Sequence, residues 1–164
     1  MFVLGIDPGL TTTGYGLLEA GGGSERAVAA GVVRTHRDLP VAERLFELAR
    51  DLRDLVAEYR PDAAAIEQVF VNRNTATAMA VGRASGVAIL VLAEAGVPVG
   101  EYTPSGVKMA LTGSGSADKQ QMQRVVAMRL GLSAPPTPVD AADALAVALC
   151  HVQHMPMQRL GIAR

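Results

Sequence analysis

The feature that most narrows the fold is a pair of short apolar runs that each close on an acid. Residues 2–7 read FVLGID and residues 63–67 read AAAIE. Each has the length of a strand and the continuous apolar character of one buried on both faces. Between them Val41, Leu45, Leu48, Leu52, Leu55, Val56 and Tyr59 form one stripe at helical period. It starts near Asp38 and Pro40 and ends at Arg60-Pro61-Asp62. A strand–helix–strand unit makes its two strands parallel neighbours. Asp7 and Glu67 then arrive at the same sheet edge, the one where sites in open α/β sheets lie. One acid after a strand is an ordinary turn or cap residue, whereas two at equivalent strand ends point to a shared site.

The remaining pattern completes the sheet. Residues 14–19 and 27–34 read as strands joined by a hairpin at Gly21-Gly22-Gly23-Ser24. A long helix of small residues is predicted over 75–95, stopped by Gly96 and Pro98, and VPVGEY supplies a fifth strand. Helices follow near 105–111, 118–130 and 138–152. The expected architecture is α/β: a mixed five-stranded sheet, its first three strands antiparallel, flanked by α-helices. A single domain is expected over 1–155, with 156–164 as a short flexible tail.

Composition excludes some classes and leaves others open. With 164 residues, 49% hydrophobic and 19% charged, the chain can bury a real core. Arg, Glu or Gly is expected to break each apolar stretch short of membrane-spanning length, and Asp7 falls too early for a signal peptide. The single Cys150 excludes an intramolecular disulfide and fits a reducing compartment, so a cytoplasmic location is expected. A net charge of -1, from 15 basic and 16 acidic residues, is neutral toward nucleic acid. A DNA-binding role requires the basic residues to be segregated on one face and the acids gathered in a site.

TPVDAADALAVALCH supplies two more acids. Thr137 suits an N-cap and Pro138 the first helical position, placing Asp140 in the first turn and Asp143 on the same face. Acids in a first turn are favoured by the helix dipole without further role. Flanking alanines, however, mark a closely packed stretch in which two carboxylates repel unless a cation holds them. Asp7, Glu67, Asp140 and Asp143 are hard oxygen donors, suited to Mg²⁺ or Mn²⁺ and not to Zn²⁺. A pair of such ions can activate a water and stabilise a leaving oxygen in phosphodiester cleavage. The turn in VLGIDPGLTTTGYG allows a second reading, in which its glycines and hydroxyls cradle a nucleotide phosphate. Cys150, His151 and His154 match no structural metal spacing and read as helix core and surface. His36 has no partner visible in sequence.

Four segments in order, LGIDPGLTTTGYG, AIEQVFVNRN, GSGSADKQQ and DAADALAVALCH, resemble the motifs of the RuvC family of bacterial Holliday junction resolvases. The resemblance runs over nearly the whole chain. It implies a ribonuclease H-like fold and a homodimer making paired, divalent-metal-dependent nicks across a four-way DNA junction. Asp7, Glu67, Asp140 and Asp143 would be the catalytic, metal-binding acids, with Mg²⁺ (or Mn²⁺) in two sites. Phe70 would stack on or wedge against bases at the junction centre, its alternative being a core aromatic. Lys108 and Lys119 match lysines that contact DNA, in loops preceding or opening helices. Arg73 and Arg83 are further phosphate candidates. The helix over 75–95 corresponds to one at the family's dimer interface, and the branch-migration proteins RuvA and RuvB are implied partners.

Three other functions compete. An actin-like ATPase or sugar kinase also begins with a strand, an Asp and a Gly/Thr-rich turn. It needs a second such domain, for which this length leaves no room, and no G-x-x-x-x-G-K-[ST] loop is present. A nuclease of the same fold acting on RNA or RNA–DNA hybrids is less favoured by the DAADALA helix and the Phe70 loop. Four intact acids argue against a catalytically dead junction-binding module.

Overall fold

A computed structural model describes residues 1–68 and 75–155. The elements are β1 (Phe2–Asp7), β2 (Thr12–Gly21), β3 (Ser24–Arg34), α1 (Val41–Tyr59), β4 (Ala63–Glu67), α2 (Thr75–Glu94), β5 (Val99–Tyr102), α3 (Pro104–Thr112), α4 (Lys119–Arg129) and α5 (Val139–His154). One sheet holds all five strands in the order β3-β2-β1-β4-β5. β1, β2 and β3 pair antiparallel, while β4 runs parallel to both β1 and β5. The mixed sheet expected from the strand order is therefore the one observed.

The hairpin is longer than its apolar letters suggested. β2 and β3 pair from Thr12↔Arg34 to Gly21↔Ser24. Gly22 and Gly23, both at positive φ (61° and 82°), make a two-residue turn whose twist matches the strands. β3 is an edge strand, and its polar start at Ser24, Glu25 and Arg26 is held by backbone pairing that leaves no apolar signature.

Each face of the sheet carries its own core. Leu4, Ile6, Leu17, Ala64 and Ile66 pack against Leu48, Leu52 and Val56 of α1 and Ala84, Ala88, Val91 and Leu92 of α2. Val3, Leu18 and Ala65 face the other way, onto Leu145, Ala148 and Leu149 of α5, with Val107 of α3 and Met122 and Val126 of α4. Alternation along β1 therefore sends Val3, Gly5 and Asp7 toward α5.

Two sequence expectations about helices are corrected. α2, with 20 residues and a mean hydropathy of 1.7, is by length and composition apolar enough to cross a membrane. Gly82, Arg83 and Gly86 interrupt its apolar residues without ending the helix, so the element is longer than those breaks implied. Pro138, not Thr137, is the N-cap of α5, with φ -68° and ψ 170° and no side-chain cap bond. An N-cap residue takes extended backbone angles, and Pro138 adopts them, so the helix starts one residue later, at Val139.

Candidate active site

The edge where β1 and β4 end is built by strand register. Ile6 pairs with Ile66, so Asp7 and Glu67, each one residue further on, leave adjacent parallel strands side by side. Both project to the face covered by α5, as Gly5 and Ala65 do two residues earlier. α5 reaches this edge with its first turn, bringing Asp140 and Asp143.

Glycines let it come that close. Gly14, opposite Asp7 in the β1–β2 ladder, has the Asp140 carbonyl oxygen where a Cβ would stand, at 2.0 Å. A Cβ on Gly5 would lie 2.0 Å from the Ala144 carbonyl oxygen, and one on Gly16 would lie 2.6 Å from the Leu145 side chain. Ala141, Ala144 and Ala148 are fully buried on the helix side. At Gly14 and Gly5 main chain of the sheet packs on main chain of the helix, and Gly16 makes room for Leu145, so the acids of α5 are carried in beside Asp7. Sequence reading assigned these glycines no role in the site. Their signal is the spacing of two in GYG, which puts Gly14 and Gly16 on one face.

The four carboxylates act on one another. Burial, and then the charges of Glu67, Asp143 and Asp140, push the Asp7 carboxyl up to about 7, with Lys119 opposing. Burial and the charge of Asp143 raise Glu67, against the pull of Lys119 and Lys108. The Lys119 ammonium lies 3.0 Å from Asp143 Oδ2. Burial by itself would lower Lys119, but its hydrogen bond to Asp143 and the charges of Asp143, Asp7 and Asp140 raise it instead. Asp118 positions this lysine by capping α4: its carboxylate accepts from Gln121 N–H at 2.8 Å, and Gln121 Oε1 accepts from Asp118 N–H at 2.9 Å. A cavity of about 190 Å³ opens between Glu67, Asp143, Lys108, Lys119, Val107 and Met122.

The all-carboxylate donor set fits a hard divalent cation. Lys119 and Lys108 do not neutralise four acids, and Asp7 and Glu67 are raised first by burial and then by the neighbouring carboxylates. Among the described residues, no three acidic, histidine or cysteine side chains close into a metal-ligand cluster. Lys119 takes the counter-ion position at Asp143.

The other expected residues fall as follows. Lys108 and Lys119 both border the acids. Lys119 opens α4, whereas Lys108 lies inside α3 and not in a loop, because Thr103 caps that helix five residues earlier and Pro104 starts it. Arg83 is exposed on α2, away from this cavity. Phe70 and Arg73 lie outside the described residues. Cys150 is fully buried in the α5 core, where burial pushes its thiol up to about 11. His151 Nδ1 is 2.8 Å from Tyr102 Oη, and His154 Nδ1 is 2.8 Å from the Cys150 carbonyl oxygen. These three are core and surface of a helix, as their spacing suggested.

A mixed sheet of this order, with carboxylates at the ends of its two central parallel strands and on the helix packed over them, defines a ribonuclease H-like protein. The model of the crossover junction endodeoxyribonuclease RuvC family matches residues 3–151. A crossover junction endodeoxyribonuclease RuvC of Chloroflexus aggregans is 49% identical over 164 residues, covering 99% of this chain and all of that one. The Thermus thermophilus RuvC structure superposes with a TM-score of 0.88 at 38% identity, covering 100% of this chain and 99% of that one. A second structure, Thermus thermophilus RuvC in complex with a Holliday junction substrate, gives the same TM-score and identity over 100% and 98% of the two chains. The chain belongs to the RuvC family of crossover junction endodeoxyribonucleases.

Proposed function

We propose that this protein resolves four-way (Holliday) DNA junctions by paired symmetric nicks, in recombination and repair. The observation that carries this reading is the convergence of Asp7, Glu67, Asp140 and Asp143 on one sheet edge, in a chain of this family. The four acids would hold divalent metal, Mg²⁺ with Mn²⁺ able to substitute, in two sites. When bound, the metal supplies an activated water and stabilises the leaving oxygen, so that cleavage leaves 5′-phosphate and 3′-hydroxyl ends.

The chain's own groups have separate tasks. Asp7 and Glu67, fixed by strand register, set the floor of the site, and α5 closes it from above with Asp140 and Asp143. Lys119 neutralises Asp143 while no other cation is present, and its exposed ammonium is placed to meet a DNA phosphate. Lys108 adds a second positive charge at the same cavity. Phe70 is assigned to base stacking at the junction centre, and Arg73 and Arg83 to phosphates.

A homodimer suits two symmetric cuts. It is supported by the outer face of α2, where Met79 and Leu90 are more than half exposed and Gly82 and Gly86 have open space above them. The reading further includes cooperation with RuvA and RuvB and a cytoplasmic location.

The decisive experiment incubates the protein with a synthetic four-way junction, a linear duplex and an RNA–DNA hybrid, with and without Mg²⁺. Symmetric nicking of the junction alone, dependent on the metal, is expected. Preferential cutting of the hybrid would replace this reading with a ribonuclease.

A further inference from the structure

The acidic edge separates two cationic surfaces. Lys108 and Lys119 lie on the side covered by α3, α4 and α5. On the opposite side a groove of about 500 Å³ runs between the turn that follows Asp7 and the first turns of α2, lined by Gly9, Thr11, Thr12, Arg37, Ala80 and Val81. Arg34, the register partner of Thr12, stands at the same corner.

Arg44, in the first turn of α1, is half-buried beside this groove. Its Nε donates to Thr35 Oγ1 at 3.0 Å and its Nη2 donates to Thr11 Oγ1 at 2.8 Å. Thr35 Oγ1 donates in turn to the Leu10 carbonyl oxygen at 2.6 Å. Among the described residues this guanidinium is held by neutral hydroxyls, which leaves its charge for an anion. Arg26, Arg50, Arg53 and Arg129, by contrast, each have a carboxylate within 3.0 Å. Among the described residues, no carboxylate pairs with Arg34, Arg37 or Arg44. The acids nearby, Asp38, Glu43 and Glu47, do not serve them, and Glu47 instead accepts from His36 N–H at 3.1 Å.

We propose that this second groove is a phosphate track for the junction arm lying across the acidic edge from Lys108 and Lys119; the inference rests on the functional reading above. The cut strand crosses the acids with lysines on one side and Arg37, Arg44 and the Thr11–Thr12 hydroxyls on the other. Guanidinium forks and hydroxyls are the groups that bind backbone phosphate without reading sequence. Thr11 belongs to the turn that begins at Asp7, so a phosphate held by Arg44 and Thr11 is tied to the strand that carries the first acid. Arg37 and Arg44 are positioning residues.

The test measures junction affinity of the full-length protein by fluorescence anisotropy without Mg²⁺, between about 50 and 200 mM salt. Arg37→Gln, at an exposed position, is expected to weaken binding roughly five- to tenfold near 100 mM salt and to reduce the salt slope by about 1. Arg37→Lys should restore most of the slope. The Arg37→Gln/Arg44→Gln double variant should lose more, with thermal melting confirming its fold. Arg50→Gln, an exposed change elsewhere on α1, should match wild type. Wild-type binding of the junction, combined with unchanged affinity and slope in both Arg37→Gln and the double variant, overturns the track and leaves the functional reading standing. Wild type that binds junction no better than duplex overturns the functional reading and the track with it.

Discussion

The ammonium of Lys119 lies 3.0 Å from the Asp143 carboxylate, so the first residue of α4 neutralises an acid on the first turns of α5. The pair is solvent-accessible on the lysine side, and an exposed ion pair contributes about 0–1 kcal/mol to stability. Its meaning lies in the charge of the site.

Lys119→Met is therefore expected to leave the melting temperature within a few degrees of wild type and to slow single-turnover junction cleavage by roughly tenfold or more, as loss of a preorganised charge does. Quench-flow or manual time courses with labelled junction measure this. Cleavage at the wild-type rate would show that Lys119 has no part in the reaction.

Asp7 links stability to pH. Its folded-state carboxyl titrates near 7, far above the ordinary 3.8, through burial and then the neighbouring acids. The folded protein thus holds a proton that the unfolded chain releases, and the associated stability is present at pH 4 and lost as pH rises through 7. Each pKa unit is worth about 1.4 kcal/mol, so the effect is a few kcal/mol, or several degrees. Without metal, Asp7→Asn should melt higher than wild type at pH 8 and equally near pH 4. Calorimetry at the two pH values decides it.

Divalent metal should act in the same direction as that substitution. Added Mg²⁺ neutralises the acids of the folded state and should raise the wild-type melting temperature at pH 8, while raising that of Asp7→Asn less. The variant should bind junction DNA with near wild-type affinity and cut it at least about 1000-fold more slowly, a loss on the scale of removing a principal catalytic group. Cutting by Asp7→Asn at wild-type rate would sink the assignment of this acid.

Gly14 offers a steric test. A Cβ there meets the Asp140 carbonyl oxygen, backbone that cannot rotate away, so Gly14→Ala must lift α5 off the sheet. A loss of about 1–3 kcal/mol is expected, together with cleavage activity that does not return on cooling. Gly21→Ala, with nothing within 4 Å, is the control and should be close to neutral. Denaturant unfolding and cleavage assays on both variants distinguish a packing role from a general intolerance of alanine in β2.

Particular residues show what could be read from the chain. Asp7 and Glu67 were legible because each ends a run whose hydrophobic period identifies a strand, and the intervening helix fixes their direction. Asp140 and Asp143 were legible as one helix face, but their approach to the strands was not, since it depends on glycines that meet α5 only across a folded layer. Arg44 was invisible for a similar reason: the hydroxyl it holds, on Thr11, is 33 residues away. Lys108 was expected in a loop and lies in a helix, because that helix is started by Thr103 and Pro104, a signal upstream of the lysine itself.

The contact of main chain with main chain between β1, β2 and α5 has a wider consequence. Where side chains separate two elements, successive small substitutions can widen or narrow the gap between them. At Gly14 and Gly5 no side chain intervenes, and there the spacing between strand-borne and helix-borne acids is set by main-chain dimensions common to every polypeptide. Change elsewhere on the molecule can alter which substrate arrives and how it is held, while at these two glycines the gauge of the carboxylate cluster is fixed by backbone.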